Sequence, residues 1–185
     1  MEPNPFHNRL QIITTNYKGT SMISKTLQDA MNEQINAELF SAYLYLSMSA
    51  HFESQNLAGF AQWMRVQYQE ETGHALKFYK YVFDRSGVVT LKTIAQPATK
   101  FKTPLDVFKQ VLAHEQKVSS LINKLYESAV KDKDYAAQGF LQWFINEQVE
   151  EEKNATDILT MLEMIGESPV SLIMADRQLG ARKAG

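Results

Sequence analysis

Four segments of the chain space their apolar residues by alternating steps of four and three, the repeat of a helix with one buried stripe. Each stripe is interrupted by acid. The first runs Met31, Ile35, Glu38, Ala42, Tyr45, Ser49, Phe52, and the second Phe60, Met64, Gln67, Glu71, His74, Phe78, Tyr81. The third is Leu105, Phe108, Leu112, Glu115, Ser119, Ile122, Tyr126, and the fourth Phe140, Phe144, Glu147, Glu151, Asn154, Ile158, Met161. An unpaired carboxylate in a protein interior costs several kcal/mol even after relaxation. Five of them gathered on facing stripes are tenable only with cations between them. The pattern therefore predicts a metal site inside a helical bundle.

Punctuation marks the helices. Ser24 caps a first helix that runs to about Ser54, and a break at Gln55-Asn56 precedes a second from about Leu57 to Arg85. Ser86-Gly87 ends it, as a glycine after the last periodic residue does. Residues 88–102 are poorly periodic, contain a proline and read as a connection. Thr103-Pro104-Leu105-Asp106 opens a third helix with a cap, a first-turn proline and an acid at the positive end of the dipole. That helix ends near Lys131 to Asp134, and a fourth runs from about Tyr135 to Ile165, where Gly166 stops it. Ser168-Pro169 starts a short fifth helix carrying Val170, Leu172, Ile173 and Met174.

Depth along the helices tests the buried-acid idea. Glu38 lies 17 residues before Gln55 and Glu71 lies 16 after it. In an antiparallel pair both sit roughly 25 Å from the turn. Glu115 and Glu151 each lie 18 residues from Lys133, again level, at roughly 27 Å. Random placement would rarely do this twice. The fifteen residues of the connection reach about 50 Å when extended, more than the roughly 44 Å of the second helix. The link spans the bundle and leaves helices two and three parallel, as in bundles with one long crossover.

Composition narrows the reading without redirecting it. The 185 residues fit one domain with a substantial core; 44% are apolar and 22% charged, and the net charge of −2 gives no reason to expect nucleic acid or membrane partners. The chain has no cysteine, which excludes disulfides, thiolate zinc sites, iron–sulfur clusters and a rubredoxin-type module, and fits a reducing cytoplasm. No apolar run approaches the roughly 20 residues of a membrane span. Residues 1–21 carry Pro3, Pro5 and several Asn and Thr with no helical period. They read as a disordered or appended leader ahead of a start at Met22, with a native docking arm as the alternative; residues 22–185 are then the helical domain.

The chemistry begins with Glu71 and His74, whose Glu-x-x-His spacing puts both side chains on one helix face. The spacing alone is weak. Its weight comes from both residues falling on the buried stripe, level with Glu38. Oxygen-rich sites with one imidazole suit iron or manganese better than zinc or copper. Di-iron bundles of the ferritin-like kind take one Glu from each of two helices and Glu-x-x-His from the other two. Helices one to three comply, but Glu147-Gln148-Val149-Glu150-Glu151-Glu152 on the fourth offers no histidine.

From Met22 onward the chain resembles the bacterial non-haem ferritins. The resemblance is carried by Asn32-Glu33-Gln34, Ala37-Glu38-Leu39-Phe40, Gln69-Glu70-Glu71-Thr72-Gly73-His74, His114-Glu115-Gln116, Phe140-Leu141-Gln142-Trp143 and Glu147 through Lys153. It implies an all-α, ferritin-like four-helix bundle with one long crossover and a short fifth C-terminal helix. It implies a first iron site at Glu38, Glu71 and His74, with Glu71 bridging to a second at Glu115 and Glu151 beside Gln148. Glu70, Glu147 and Glu150 resemble an accessory third iron site, and Tyr45 matches the tyrosine near the ferroxidase centre. The implied activity is oxidation of Fe(II) by dioxygen or hydrogen peroxide. Ferric mineral would be stored in a cytoplasmic homo-oligomeric hollow shell of about 24 subunits, the fifth helix lining its symmetry channels. The missing helix-four histidine favours the non-haem branch, and none of the eight methionines can be assigned a haem, so no haem is expected.

Plainer readings stand beside these. Glu70, Glu150 and Glu152 also suit solvated helix faces, Gln148 also suits a place behind the ligands, and Tyr45 also reads as a core aromatic bonded to a carboxylate. His114 sits one position off the stripe and reads as structural or exposed; His7 and His51 have no convincing partner. Trp63 and Trp143 read as packing residues. Rival functions on the same fold are a di-iron peroxidase and a DNA-protecting mini-ferritin. The absent rubredoxin segment argues against the first, and the scarcity of basic residues in both tails against the second.

Overall fold

Ser24, Thr103 and Ser168 close the helix starts at which the sequence places them, and Asp134, read there only as the end of the third helix, caps the fourth. The computed structural model describes residues 22–183, so the leader at 1–21 lies outside the described residues. Helix α1 spans Lys25–Ser54, α2 Ala58–Asp84, α3 Pro104–Lys131, α4 Tyr135–Ile165 and α5 Pro169–Leu179. Ser24 accepts from the Leu27 amide at 3.1 Å, Thr103 from that of Asp106 at 3.1 Å and Asp134 from that of Ala137 at 3.0 Å. Ser168 does the same for Ser171 at 3.3 Å. The α2 cap residue, Leu57, has no side chain that can serve. Asp176 of α5 serves instead, accepting from the Gly59 and Phe60 amides at 2.8 and 2.9 Å. Gly59 is what admits α5 there: a Cβ on it would stand 1.6 Å from the Asp176 carbonyl oxygen.

The helices form two antiparallel hairpins. Ser24, at the start of α1, donates to Asp132 at the end of α3, and Ser41 meets His114, so α1 and α3 are antiparallel. Arg85, after α2, pairs with Asp134 before α4 at 2.8 Å, so α2 and α4 are antiparallel too. Helices α2 and α3 therefore run parallel, as the crossover length required. The connection lies along α1. Asn32 donates to the Val88 carbonyl and accepts from the Thr90 amide, both at 3.0 Å, and Ser47 donates to the Ala98 carbonyl at 2.6 Å. These three peptide groups are thus satisfied by α1 side chains rather than by a sheet or helix ladder.

Two features differ from expectation. The buried stripe of α4 is rotated by one position: Ala137, Leu141, Phe144, Gln148, Glu151 and Ala155 face inward, whereas Glu147, Phe140 and Asn154 sit at its edge. In α3, Val111, Val118 and Leu125 are buried where the expected stripe ran through Leu112, Ser119 and Tyr126. A globular helix buries an arc about 100° wide, so two heptad phases fit the same sequence and only packing chooses between them. After α2 the left-handed residue is Ser86, at φ 55°, not Gly87. Gly87 is needed for space, since a Cβ on it would stand 2.9 Å from both Gln28 and Val82.

Apolar packing is split into two clusters. One gathers Met48, Phe52, Phe60, Met64 and Phe108, and the other Leu27, Met31, Phe78, Ile122 and Phe144. Between them lies a polar layer.

Candidate metal centre

The polar layer is built by four helices at one level. Glu38 comes from α1, Glu71 and His74 from α2, Glu115 from α3, and Gln148 and Glu151 from α4. All six are buried; Glu38 is 1%, Glu71 2% and Glu115 1% exposed. Ligand atoms of Glu38, Glu71 and His74 all lie within 4.8 Å of one another. His74 turns Nδ1 toward Glu71 Oε2 at 3.7 Å and Nε2 toward Glu147 Oε1 at 3.7 Å. Its ring is wedged edge-on against Trp143 and Phe144, which fixes its orientation.

Neutral donors fill part of the acids' demand and leave part open. Gln34 donates to Glu38 at 2.9 Å, and Gln67 donates to Glu151 at 2.7 Å. Gln148 donates to the Glu115 carboxylate at 3.3 Å and to its carbonyl at 3.2 Å. The Tyr45 hydroxyl donates to the other Glu115 oxygen. Glu38 Oε2 and Glu71 Oε2 are buried with no hydrogen-bond partner. Such orphaned oxygens normally have a role or a missing ion. Two carboxylate oxygens facing one imidazole are a hard, oxygen-rich donor set, which fits iron or manganese.

The electrostatics agree. Burial, reinforced by Glu71, pushes the Glu38 carboxyl well above the usual carboxylate range. Burial and Glu115 do the same to Glu71. Burial raises Glu115 as well, against the Tyr45 and Gln148 hydrogen bonds, and it raises Glu151, with help from Glu115, to about 7. The Tyr45 phenol is also held well above its ordinary value by burial and by Glu115, so it stays a donor. Protons therefore hold this cluster together when no cation does, and a cation must displace them.

The outer acids flank this centre, Glu147 within 3.7 Å of His74. Glu70 and Glu147 are half-buried at its rim and Glu150 is exposed. Glu70 is paired with Arg182 at 2.5 Å, and Ser119 donates to Glu152. His114 is half-buried on Ser41 at 2.8 Å, its imidazole lowered by burial to about 4. His51 packs at a tilt against Phe101 of the crossover. Trp63 is buried in the core, and Trp143 is partly exposed with the Lys77 ammonium 3.1 Å above its ring. The sequence assigned no role at the centre to Gln34, Gln67 or Arg182, although Gln67 lies on the second stripe. Gln34 and Gln67 had a signal, each lying four residues before a buried glutamate. Arg182 had none, because its partners lie more than a hundred residues away.

A four-helix bundle with one long crossover and a carboxylate–histidine layer at mid-height defines the ferritin-like di-iron class. The family model described as a ferritin-like domain matches residues 28–165, and the chain belongs to the ferritin family. It is 45% identical over 161 residues to a bacterial non-heme ferritin of Bacteroides fragilis, covering 87% of this chain and all of that one. A bacterial non-heme ferritin of Staphylococcus haemolyticus is 41% identical over 161 residues, covering 87% of this chain and 97% of its own. Among solved structures, an open-pore ferritin from the archaeon Archaeoglobus fulgidus superposes with a TM-score of 0.86 at 46% identity. That match covers 87% of this chain and 98% of the other. No helix among the described residues is long and apolar enough to cross a membrane.

Proposed function

We propose that this protein is an iron-storage ferritin and that its buried layer is a ferroxidase centre. One Fe(II) binds at Glu38, Glu71 and His74, and a second between Glu71, Glu115 and Glu151, with Gln148 behind it. Iron is here the substrate. Each of two Fe(II) gives up one electron, and dioxygen takes two electrons and two protons to leave as hydrogen peroxide. With peroxide as oxidant the same two electrons and two protons yield two waters. The protons displaced from the raised carboxyls on Fe(II) binding are available at the site. Tyr45 holds Glu115 by its hydroxyl, and Gln67 and Gln148 keep the second pair of acids facing inward. Both glutamines are neutral donors, so neither competes with a cation.

Ferric product passes to mineral in the hollow of a homo-oligomeric shell of about 24 subunits. Exposed Tyr43, Leu46, Leu76, Tyr79 and Phe83 on α1 and α2 supply apolar surface for subunit contacts. Gln148-x-x-Glu151 stands where a second Glu-x-x-His would, with a glutamine in the glutamate's place and a glutamate in the histidine's. The resulting asymmetry favours iron moving onward over a permanently held pair. Glu70, Glu147 and Glu150 form an outer station for a third ion.

The observation that carries this reading is the pair of orphaned oxygens, Glu38 Oε2 and Glu71 Oε2, facing His74. Stopped-flow absorbance after mixing the apo protein with Fe(II) and oxygen tests it. Glu71→Ala is expected to abolish the fast phase and leave the shell intact, because the apolar stripes are untouched. An unchanged initial rate in that variant removes Glu71 from the centre.

A further inference from the structure

Arg182, three residues past the end of α5, reaches the rim of the metal centre. Its guanidinium Nη1 donates to Gln67 Oε1 at 2.6 Å and its Nη2 to Glu70 Oε2 at 2.5 Å. The same group lies 4.5 Å from the centroid of the buried Trp63 ring. Gln67 is 0% exposed, and its amide nitrogen is the donor to Glu151. A continuous chain of contacts thus runs from the C-terminal tail through Gln67 to a carboxylate of the inner layer.

The charges give that chain a consequence. Glu70 is raised by burial, drawn back down by Arg182 and His74, and raised again by Glu147 and Glu150. Among the outer acids, Arg182 is the cation paired with Glu70. A guanidinium keeps its charge at any working pH and, held by two hydrogen bonds and an aromatic face, is a demanding group to displace. Its pair with Glu70 is only about a quarter exposed, at 21% and 26% for the two side chains. Beside it opens a cleft of about 290 Å³, lined by Trp63, Asn154 and Asp157, into which a displaced side chain could move.

We infer that Arg182 is a tethered counter-cation: it occupies Glu70 in place of a metal ion and holds Gln67 against Glu151. The C-terminal tail thereby sets whether a third ion joins the inner pair. The inference rests on the proposed metal centre. Arg182 is a positioning residue, acting on metal through Glu70 and Gln67. A purely structural tether would alter tail mobility or stability and leave ion binding unchanged.

Equilibrium dialysis of the assembled protein against Zn(II), with bound metal counted per chain, separates these roles without any redox step. The wild type is expected to bind two ions tightly and a third weakly. Arg182→Gln should bind the third about tenfold more tightly or better. Arg182→Gln combined with Glu70→Gln should return to two. Arg182→Lys, which keeps the charge and loses the fork, should fall between. The same count and affinity in Arg182→Gln as in wild type overturns the inference, as does a wild type that already holds three equally tight ions; either result leaves the metal centre standing. A wild type that holds fewer than two tight ions removes the centre itself.

Discussion

Glu151 shows how one residue couples burial, protons and metal. Its carboxyl titrates near 7 in the fold, raised by burial and by Glu115, against about 4.3 in an unfolded chain. Between those values the folded chain holds the extra proton, so stability falls as pH rises from about 4 to about 7. Glu38, Glu71 and Glu115 shift in the same direction. The ion-free protein should therefore melt at a lower temperature at pH 8 than at pH 5. Glu151→Gln should flatten that slope and raise the pH 8 stability by about 1 kcal/mol or more, since it removes a buried charge. It should also slow Fe(II) oxidation. Melting curves at several pH values check the first claim, and an Glu151→Gln slope equal to wild type contradicts it. These acids were legible in the sequence because an acid on an apolar stripe has no bland explanation. Glu147 was harder: it is the neighbour of Gln148, and the helix phase, which sequence leaves open by one position, decides which of them turns inward.

Among the elements, α1 to α4 were legible almost to their ends, because caps and breakers are local signals. Ser24, Thr103-Pro104 and Asp134 each act within one turn. The docking of α5 was not legible, because it depends on residues 117 positions apart in the chain. Asp176 closes the start of α2, and Gly59 leaves the room for it. Asp176→Ala should cost about 1 kcal/mol of stability, the value of a helix cap, and Gly59→Ala should displace α5 altogether. Chemical denaturation measures the first. Hydrogen exchange across residues 169–179 measures the second, and protection like that of wild type in Gly59→Ala would show that α5 docks without that close approach. A displaced α5 also carries Arg182 away from Gln67, so the element and the rim of the metal centre are one mechanical unit.

At the scale of the whole molecule, the bundle separates two demands. Two apolar clusters, one on each side of the polar layer, hold the four helices at the spacing the centre needs. The layer itself detracts from the stability of the ion-free chain, as sites kept for function commonly do. The crossover makes this arrangement possible, since it alone lets α2 and α3 run parallel and brings all four helices' acids to one depth. Crossover length and acid depth were both readable by counting residues; the path of the crossover along α1, through Asn32 and Ser47, was not, because neither side chain announces a partner so far along the chain. On the proposed function the centre lies inside each subunit, which makes oxidation a property of one chain and storage a property of the assembly. The most direct test of that account is aerobic Fe(II) loading of the apo protein, followed by size separation with iron counted in each fraction. Hundreds of ferric ions co-eluting with a large shell are the expected result. Iron held only at about two per chain would contradict storage and make a resident di-iron redox enzyme the better account.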